Sequence, residues 1–266
     1  MSIVIEQARR PSLFVDQLWS KTRRLIRSGD LAAAERLYRA ATESVPSAAA
    51  KVAFGQFLTD VCRDAEALAV LEAASVEARS DGDAETVARS LNLQARIYHR
   101  VGRGVDAQRC EQRAIRFELE SSGSLSASTL VNLAATAAAA GDARRADDLL
   151  RSAERVAQSS ESVHVRLAQG GLQAERGRPV AAARLFRRAV RLARSNCSMR
   201  EEAEARLRLA ALLCREKRYR AAMRHGLKAE RLYCLLGGRD LEARSRRLID
   251  LAAAARESRL VEIALN

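Results

Sequence analysis

The stretch Gly29-Asp30-Leu31-Ala32-Ala33-Ala34-Glu35-Arg36-Leu37-Tyr38-Arg39-Ala40-Ala41, closed by Pro46, decides the fold. Ala34 and Ala41 are seven residues apart, about two helical turns, so they lie on one stripe of one helix. The same pair recurs as Ala67/Ala74, Ala107/Ala114, Ala146/Ala153, Ala182/Ala189 and Ala222/Ala229. Successive leading alanines are 33, 40, 39, 36 and 40 residues apart. A period in this range marks stacked helical hairpins. Alanine on the shared stripe lets a neighbouring helix come close.

The surroundings of each pair repeat as well. Five residues before the leading alanine stands Gly29, Gly102, Gly141 or Gly177, with Cys62 and Lys217 as the exceptions. Glycine there accepts the left-handed conformation needed just past a helix C-terminus. Upstream lies an apolar residue and then Ala or Gly, as in Phe54-Gly55, Leu133-Ala134 and Leu209-Ala210. Four residues after the leading alanine comes a larger side chain: Tyr38, Leu71, Leu150 or Phe186. Pro46 cannot continue the first hairpin's helix.

These residues resemble the tetratricopeptide repeat (TPR) family, whose pattern runs W-x2-L-G-x2-Y, then A-x3-F, then P. The likeness covers roughly residues 15 to 235. It implies an all-α TPR solenoid of about six helical hairpins plus a C-terminal capping helix. Residues 1–14 then form an N-terminal extension, 15–236 the array of six units, and 237–266 the capping helix and tail. The family usually places a large apolar residue where this chain has Glu111, Gln173 and Gly226, so packing in units three, five and six is expected to depart locally.

Composition agrees with helix throughout. Three prolines and 13 glycines in 266 residues accompany 48% hydrophobic content and only 4% aromatics, so packing rests on Leu, Ala and Val. One elongated domain is expected, since each unit of a repeat array buries its face against the next. The turns are read at Ser80-Asp81-Gly82-Asp83, Ser121-Ser122-Gly123-Ser124 and Ser159-Ser160-Glu161-Ser162, and a final helix from Asp240 to about Glu257. No targeting segment is seen, and no run approaches the ~20 apolar residues that span a bilayer. Cys62, Cys110, Cys197, Cys214 and Cys234 form no C-x2-C pair, so they read as reduced, buried small hydrophobes of a cytoplasmic protein.

The sequence offers no catalytic, metal or cofactor site. His99, His164 and His225 stand in no ligand spacing. Gly102-Arg103-Gly104 lacks the strand and further glycines of a phosphate loop. Gly170-Gly171 reads as a close helix contact. The expectation is a protein that is not an enzyme.

Charge is concentrated. From Arg176 to Arg247 there are 21 Lys and Arg against seven Asp and Glu, an excess that exceeds the whole chain's net +13. Arg184, Arg187, Arg188, Arg191 and Arg194 share one helical stripe, followed in the next unit by Arg220, Arg224, Lys228 and Arg231. Arg239, Arg244, Arg246 and Arg247 continue it. No acidic residue lies between Arg176 and Arg200, whereas a solvated face usually mixes signs. The second helices of a TPR array form its outer, convex face, so the resemblance implies a basic ridge there.

The resemblance also assigns groove positions: Trp19, Arg23 and Arg27; Arg89, Asn92, Arg96, His99 and Arg100; Asn132; Arg208 and Arg215. Trp19 and Arg23 stand where chaperone-tail TPRs carry a Lys and an Asn of their carboxylate clamp, which argues against that specificity. Leu130-Val131-Asn132-Leu133-Ala134 looks like the L-N-N-L-A of kinesin light chains, and Cys110-Glu111-Gln112-Arg113-Ala114-Ile115 is similar to their second helix. In that group groove asparagines hold extended peptides, which makes Asn132 and Asn92 candidates.

Two partner classes follow. The first is an acidic protein surface, with a tubulin-like filament as the specific candidate. The second is nucleic acid held through phosphates on the same ridge, although no aromatics interleave the arginines for stacking. Peripheral membrane binding ranks below both, because the sequence shows only the basic half of an amphipathic surface.

Overall fold

Every alanine pair falls on the buried stripe of one helix in the computed structural model. The structure describes residues 21–265 except 23, 27, 45, 46, 159 and 160, with side chains described to residue 258. The elements are α1 (Leu31–Ser44), α2 (Ala48–Asp60), α3 (Asp64–Ser80), α4 (Ala84–Arg100), α5 (Gly104–Ser122) and α6 (Ala127–Ala139). They continue with α7 (Ala143–Val156), α8 (Ser162–Glu175), α9 (Pro179–Ser195), α10 (Met199–Arg215), α11 (Tyr219–Leu235) and α12 (Arg239–Leu265). No strand occurs among the described residues. The odd-numbered helices from α1 to α11 carry the alanine pairs, and all twelve alanines are buried.

The chain divides into two compact bodies, Met1–Thr136 and Ala137–Asn266. In the first, α2 packs on α3, α3 on α4 and α4 on α5. Val87, Leu91 and Ala95 of α4 meet Ala107, Cys110 and Ala114 of α5 in one cluster. Tyr38 and Phe57 stack with centroids 5.0 Å apart. In the second body, Val163 and Leu167 of α8, Phe186 of α9, Leu209 and Leu213 of α10, Ala222 of α11 and Ala252 of α12 form one cluster.

Small residues on one helix accept large ones on the next. A Cβ at Gly55 would stand 2.7 Å from Leu71, and one at Gly170 would stand 2.5 Å from the Phe186 ring. Gly226 meets Ile249 of α12 in the same way, at 2.8 Å. Its lack of a side chain is therefore what lets α12 close on α11. The second departure, Gln173, is half-buried on α8 and its carbonyl accepts from the Arg178 amide.

The hairpin turns share one geometry. At Gly102 the amide donates to the His99 carbonyl, and the Arg103 amide donates to the Tyr98 carbonyl. This pair of bonds closes a helix end around one left-handed residue. It recurs at Gly29, Gly82, Gly141, Gly177 and Gly237, and also at Cys62, Cys197 and Lys217. Those last three carry φ values of 62°, 57° and 57°. The two positions that lack glycine in the sequence pattern thus keep its conformation.

The cysteines are not uniformly buried, as the sequence alone suggests. Cys110 is buried, and burial pushes its thiol up to about 11. Cys62, Cys197 and Cys214 are half-buried, and Cys234 is exposed. Pro46, Ser159 and Ser160, which the sequence reading used as breaks, lie outside the described residues.

Candidate docking surface

Helix α9 begins with Pro179 in its first turn and has no acidic residue there. Its apolar positions Ala182, Ala183, Phe186, Ala189, Val190 and Ala193 are buried. The 3.6-residue period therefore leaves Arg184, Arg187, Arg188, Arg191 and Arg194 on the solvent side, and all five are exposed. Among the described residues Arg184, Arg187 and Arg191 make no ion pair. Neighbouring helices supply some compensation: Arg188 acts on Glu154 of α7, and Arg194 Nε lies 3.9 Å from Glu202 of α10. The stripe has no carboxylate on its own helix, and Glu154 and Glu202 of neighbouring helices face two of its members.

Helix α11 repeats the pattern, with Arg220, Arg224, Lys228 and Arg231 exposed. Ala222, Gly226, Ala229 and Tyr233 are buried. On α12, Arg239, Arg244, Arg246 and Arg247 are exposed, but Arg246 is tied to Glu230 of α11 at 2.7 Å. Leu227 and Leu235 are exposed beside the α11 cations, and Val180 at the start of α9. These apolar side chains were legible only once the buried face was known.

The groove positions are placed very differently from one another. Trp19, Arg23 and Arg27 lie outside the described residues. Arg89 is exposed on α4, and Arg96 is half-buried there. Arg100 reaches Asp64 at 2.8 Å. On α10, Arg208 is exposed and pairs with Glu204 at 2.6 Å, and Arg215 is exposed.

Asn92 and Asn132 are buried, and their amides face inward. The Asn92 amide donates to Glu118 at 2.9 Å, and its oxygen accepts from the Thr129 hydroxyl at 2.9 Å. Asn132 donates to the Asn92 carbonyl at 3.1 Å. Glu118 also accepts from the Ser126 amide and hydroxyl. Buried polar groups need such partners. This arrangement gives both asparagines an internal role, holding α4, α5 and α6 in register.

His99 belongs to a second internal cluster. Its Nε2 lies 2.5 Å from Glu111 Oε1, and the Thr136 hydroxyl donates to both Glu111 oxygens at 2.9 and 2.8 Å. Glu111 is only 2% exposed. This explains how α5 tolerates a carboxylate where the family pattern has an apolar residue. Neither Glu118 nor Thr136 was singled out by the sequence; the serine at 126, which caps α6 by accepting from the Thr129 amide, was the available signal.

Among the described residues no group of His, Cys, Asp and Glu could hold a metal ion, and no helix is long and apolar enough to cross a membrane.

No protein-family model and no curated protein sequence matches the chain. Solved structures do. The chain is similar to a crystal structure of the APC/C hetero-tetramer Cut9–Hcn1, with a TM-score of 0.60 at 14% identity over 97% of this chain and 51% of that one. It is also similar to a signal transduction ATPase with numerous domains that carries a tetratricopeptide repeat sensor, from Pyrococcus horikoshii. There the TM-score is 0.52 at 13% identity, over 90% of this chain and 37% of that one. The chain thus spans about half of the first protein's length and less of the second's. These likenesses give the fold: an all-α TPR solenoid.

Proposed function

We propose that the chain is a non-catalytic adaptor or scaffold of the cytoplasm that docks an acidic protein surface. The observation that carries this reading is the α9 face, where five arginines are exposed on a helix without a single carboxylate. Like charges at i,i+3 and i,i+4 destabilise a helix by a few tenths of a kcal/mol per pair. A face that keeps them suits an acidic partner that neutralises them. Cut9–Hcn1, whose fold this chain shares, is itself a hetero-tetramer, which favours a protein partner. The kinesin-light-chain likeness of Leu130–Ala134 and Cys110–Ile115 makes a tubulin-like filament the candidate. A second contact through first-helix positions such as Arg89 would add shape specificity.

The test is replacement of Arg184, Arg187, Arg188 and Arg191 with Gln. Circular dichroism should be unchanged, because all four face water. Binding to purified acidic filament should weaken roughly a hundredfold, and wild-type binding should fall steeply with salt. Salt-insensitive binding that survives the substitutions would remove the ridge from the interaction. Tight, saturable binding to short nucleic acid at physiological salt, indifferent to Arg89, would instead favour the phosphate-binding alternative.

A further inference from the structure

Helices α9 and α11 share one core, yet they turn different faces to solvent. Helix α9 exposes its five arginines, with Val180 only in the first turn. Helix α11 exposes Arg220, Arg224, Lys228 and Arg231 together with Leu227, Cys234 and Leu235. Leu227 is 42% and Leu235 57% exposed. The two leucines stand two turns apart, about 12 Å along the axis, with Arg231 between them on the same stripe. Arg224 and Lys228 lie within one turn of Leu227. The single carboxylate of α11, Glu230, is half-buried and tied to Arg246 of α12 at 2.7 Å.

This face holds donors and apolar groups but no strong acceptor. Arg and Lys side chains only donate hydrogen bonds, and leucine makes none. An extended peptide laid on it would leave backbone N–H groups without partners wherever Leu227 and Leu235 exclude water. A helix arrives with its backbone hydrogen bonds already made, and it places carboxylates on both flanks of one apolar stripe. A bilayer fits less well. The other apolar side of α11, with Ala222, Gly226, Ala229 and Tyr233, is buried in the solenoid, which leaves only Leu227, Cys234 and Leu235 to insert. Duplex phosphates would match the cations but leave both leucines uncovered.

We propose that α11 docks an acidic amphipathic helix of the partner. The apolar stripe of that helix covers Leu227 and Leu235, and its carboxylates meet Arg220, Arg224, Lys228 and Arg231. The proposal rests on the ridge reading above and names what the partner presents to it. The cations steer and orient the encounter, whereas the two leucines supply the dry contact that holds it.

The experiment uses the full chain and three labelled peptides built from Glu, Ala and Leu. One carries its leucines on a single helical stripe flanked by glutamates. The second is a shuffled sequence of the same composition, and the third is the striped sequence with a central proline. The striped peptide should bind about tenfold tighter than either of the others. Leu227→Ser with Leu235→Ser should abolish that preference and leave circular dichroism unchanged, whereas Leu251→Ser, at an exposed site on α12, should keep it. Arg220→Gln with Arg224→Gln should instead weaken the striped and shuffled peptides alike and flatten their salt dependence. Equal affinity for those two peptides, or a preference that survives the leucine substitutions, overturns the docking face while leaving the ridge standing. Undiminished binding of the proline peptide overturns a helical partner. Failure of all three to bind overturns the ridge as well. Phosphatidylserine vesicles that bind through Leu227 and Leu235, while the striped peptide gains nothing over the shuffled one, overturn the helix in favour of a lipid surface.

Discussion

The two bodies use polar residues in opposite ways. Residues 1–136 contain 18 Lys and Arg against 17 Asp and Glu, whereas residues 137–266 contain 28 against 16. The first body turns its unusual polar groups inward, where Glu111 and Glu118 are each buried with several donors. The second turns its excess outward, as exposed arginines on α9 and α11. A buried carboxylate stabilises only while every partner is present. An exposed arginine adds little to folding and much to the surface potential. Substitutions should therefore damage stability in the first body and binding in the second.

The sharpest break of that contrast is His99→Ala. It strips the 2.5 Å partner from a carboxylate that is 2% exposed. Leaving that buried acceptor without its partner should lower stability by about 1–3 kcal/mol, measured by urea unfolding. Replacing both partners, as His99→Leu with Glu111→Leu, should recover most of the loss, because the apolar pair leaves neither partner buried and unpaired. Arg187→Gln in the second body should change stability by less than about 0.5 kcal/mol. Equal effects at the two sites would erase the distinction.

Much of this architecture was legible in the sequence, and for a definite reason. Ala34/Ala41 and its five repetitions report helix–helix contact, which alternatives such as leucine would block, so the period survives as a plain pattern. Turn geometry was less legible. Cys62 and Lys217 look like failures of the glycine rule, yet their φ values match Gly102 and Gly177 in sign and size. The hydrogen bonds of the turn hold the conformation whatever side chain stands there. The polar clusters were least legible, because Asn92, Glu118 and Thr129 come from three helices and no local spacing joins them. Exposure of the arginines followed from helical period alone; their neighbours Glu154 and Glu202 did not.

Two adjacent glycines in the second body sharpen the packing side of the contrast. A Cβ at Gly170 would press into the Phe186 ring, whereas at Gly171 it would meet only Arg208 Nη1, at 3.5 Å. Overpacking typically costs about 1–3 kcal/mol, against a helix-propensity gain of about 1 kcal/mol for Gly→Ala. Gly170→Ala should thus destabilise by roughly 1 kcal/mol, and Gly171→Ala should be neutral or stabilising. Thermal unfolding of the two variants checks this; the reverse order would mean α8 and α9 are not held by this contact.

The second body also carries a pH signature at His225. His225 is held near 4 in the folded protein and returns to about 6.5 on unfolding. The unfolded chain therefore binds more protons between those values, so stability is complete above pH 6.5 and falls as pH drops toward 4. Partial exposure of the ring screens part of the effect. His225→Gln should flatten the stability profile across that window, measured by urea midpoints at pH 4.5 and 7. An unchanged slope would mean that the imidazole is no more buried, and no closer to the neighbouring cations, than in the unfolded chain.

The smallest effect tests what the bodies have in common. Lys217 adopts φ 57° where most other turns place glycine. A side chain in the left-handed region costs about 1–2 kcal/mol. Glycine removes that strain but gives back roughly 0.5–1 kcal/mol through the entropy of the unfolded chain. Lys217→Gly should therefore stabilise the protein by about 0.5–1 kcal/mol, raising Tm by roughly 2 °C. Cys62→Gly in the first body should gain a similar amount, since its φ is 62° and its turn makes the same two hydrogen bonds. The mirror experiment, Gly177→Ala, meets no side-chain obstruction but keeps φ at 67°, so it should lose about 1 kcal/mol from backbone strain alone. If Cys62→Gly stabilises and Lys217→Gly does not, the Lys217 side chain holds the turn in a way glycine cannot replace. The shared turn would then be another point at which the basic body differs from the neutral one.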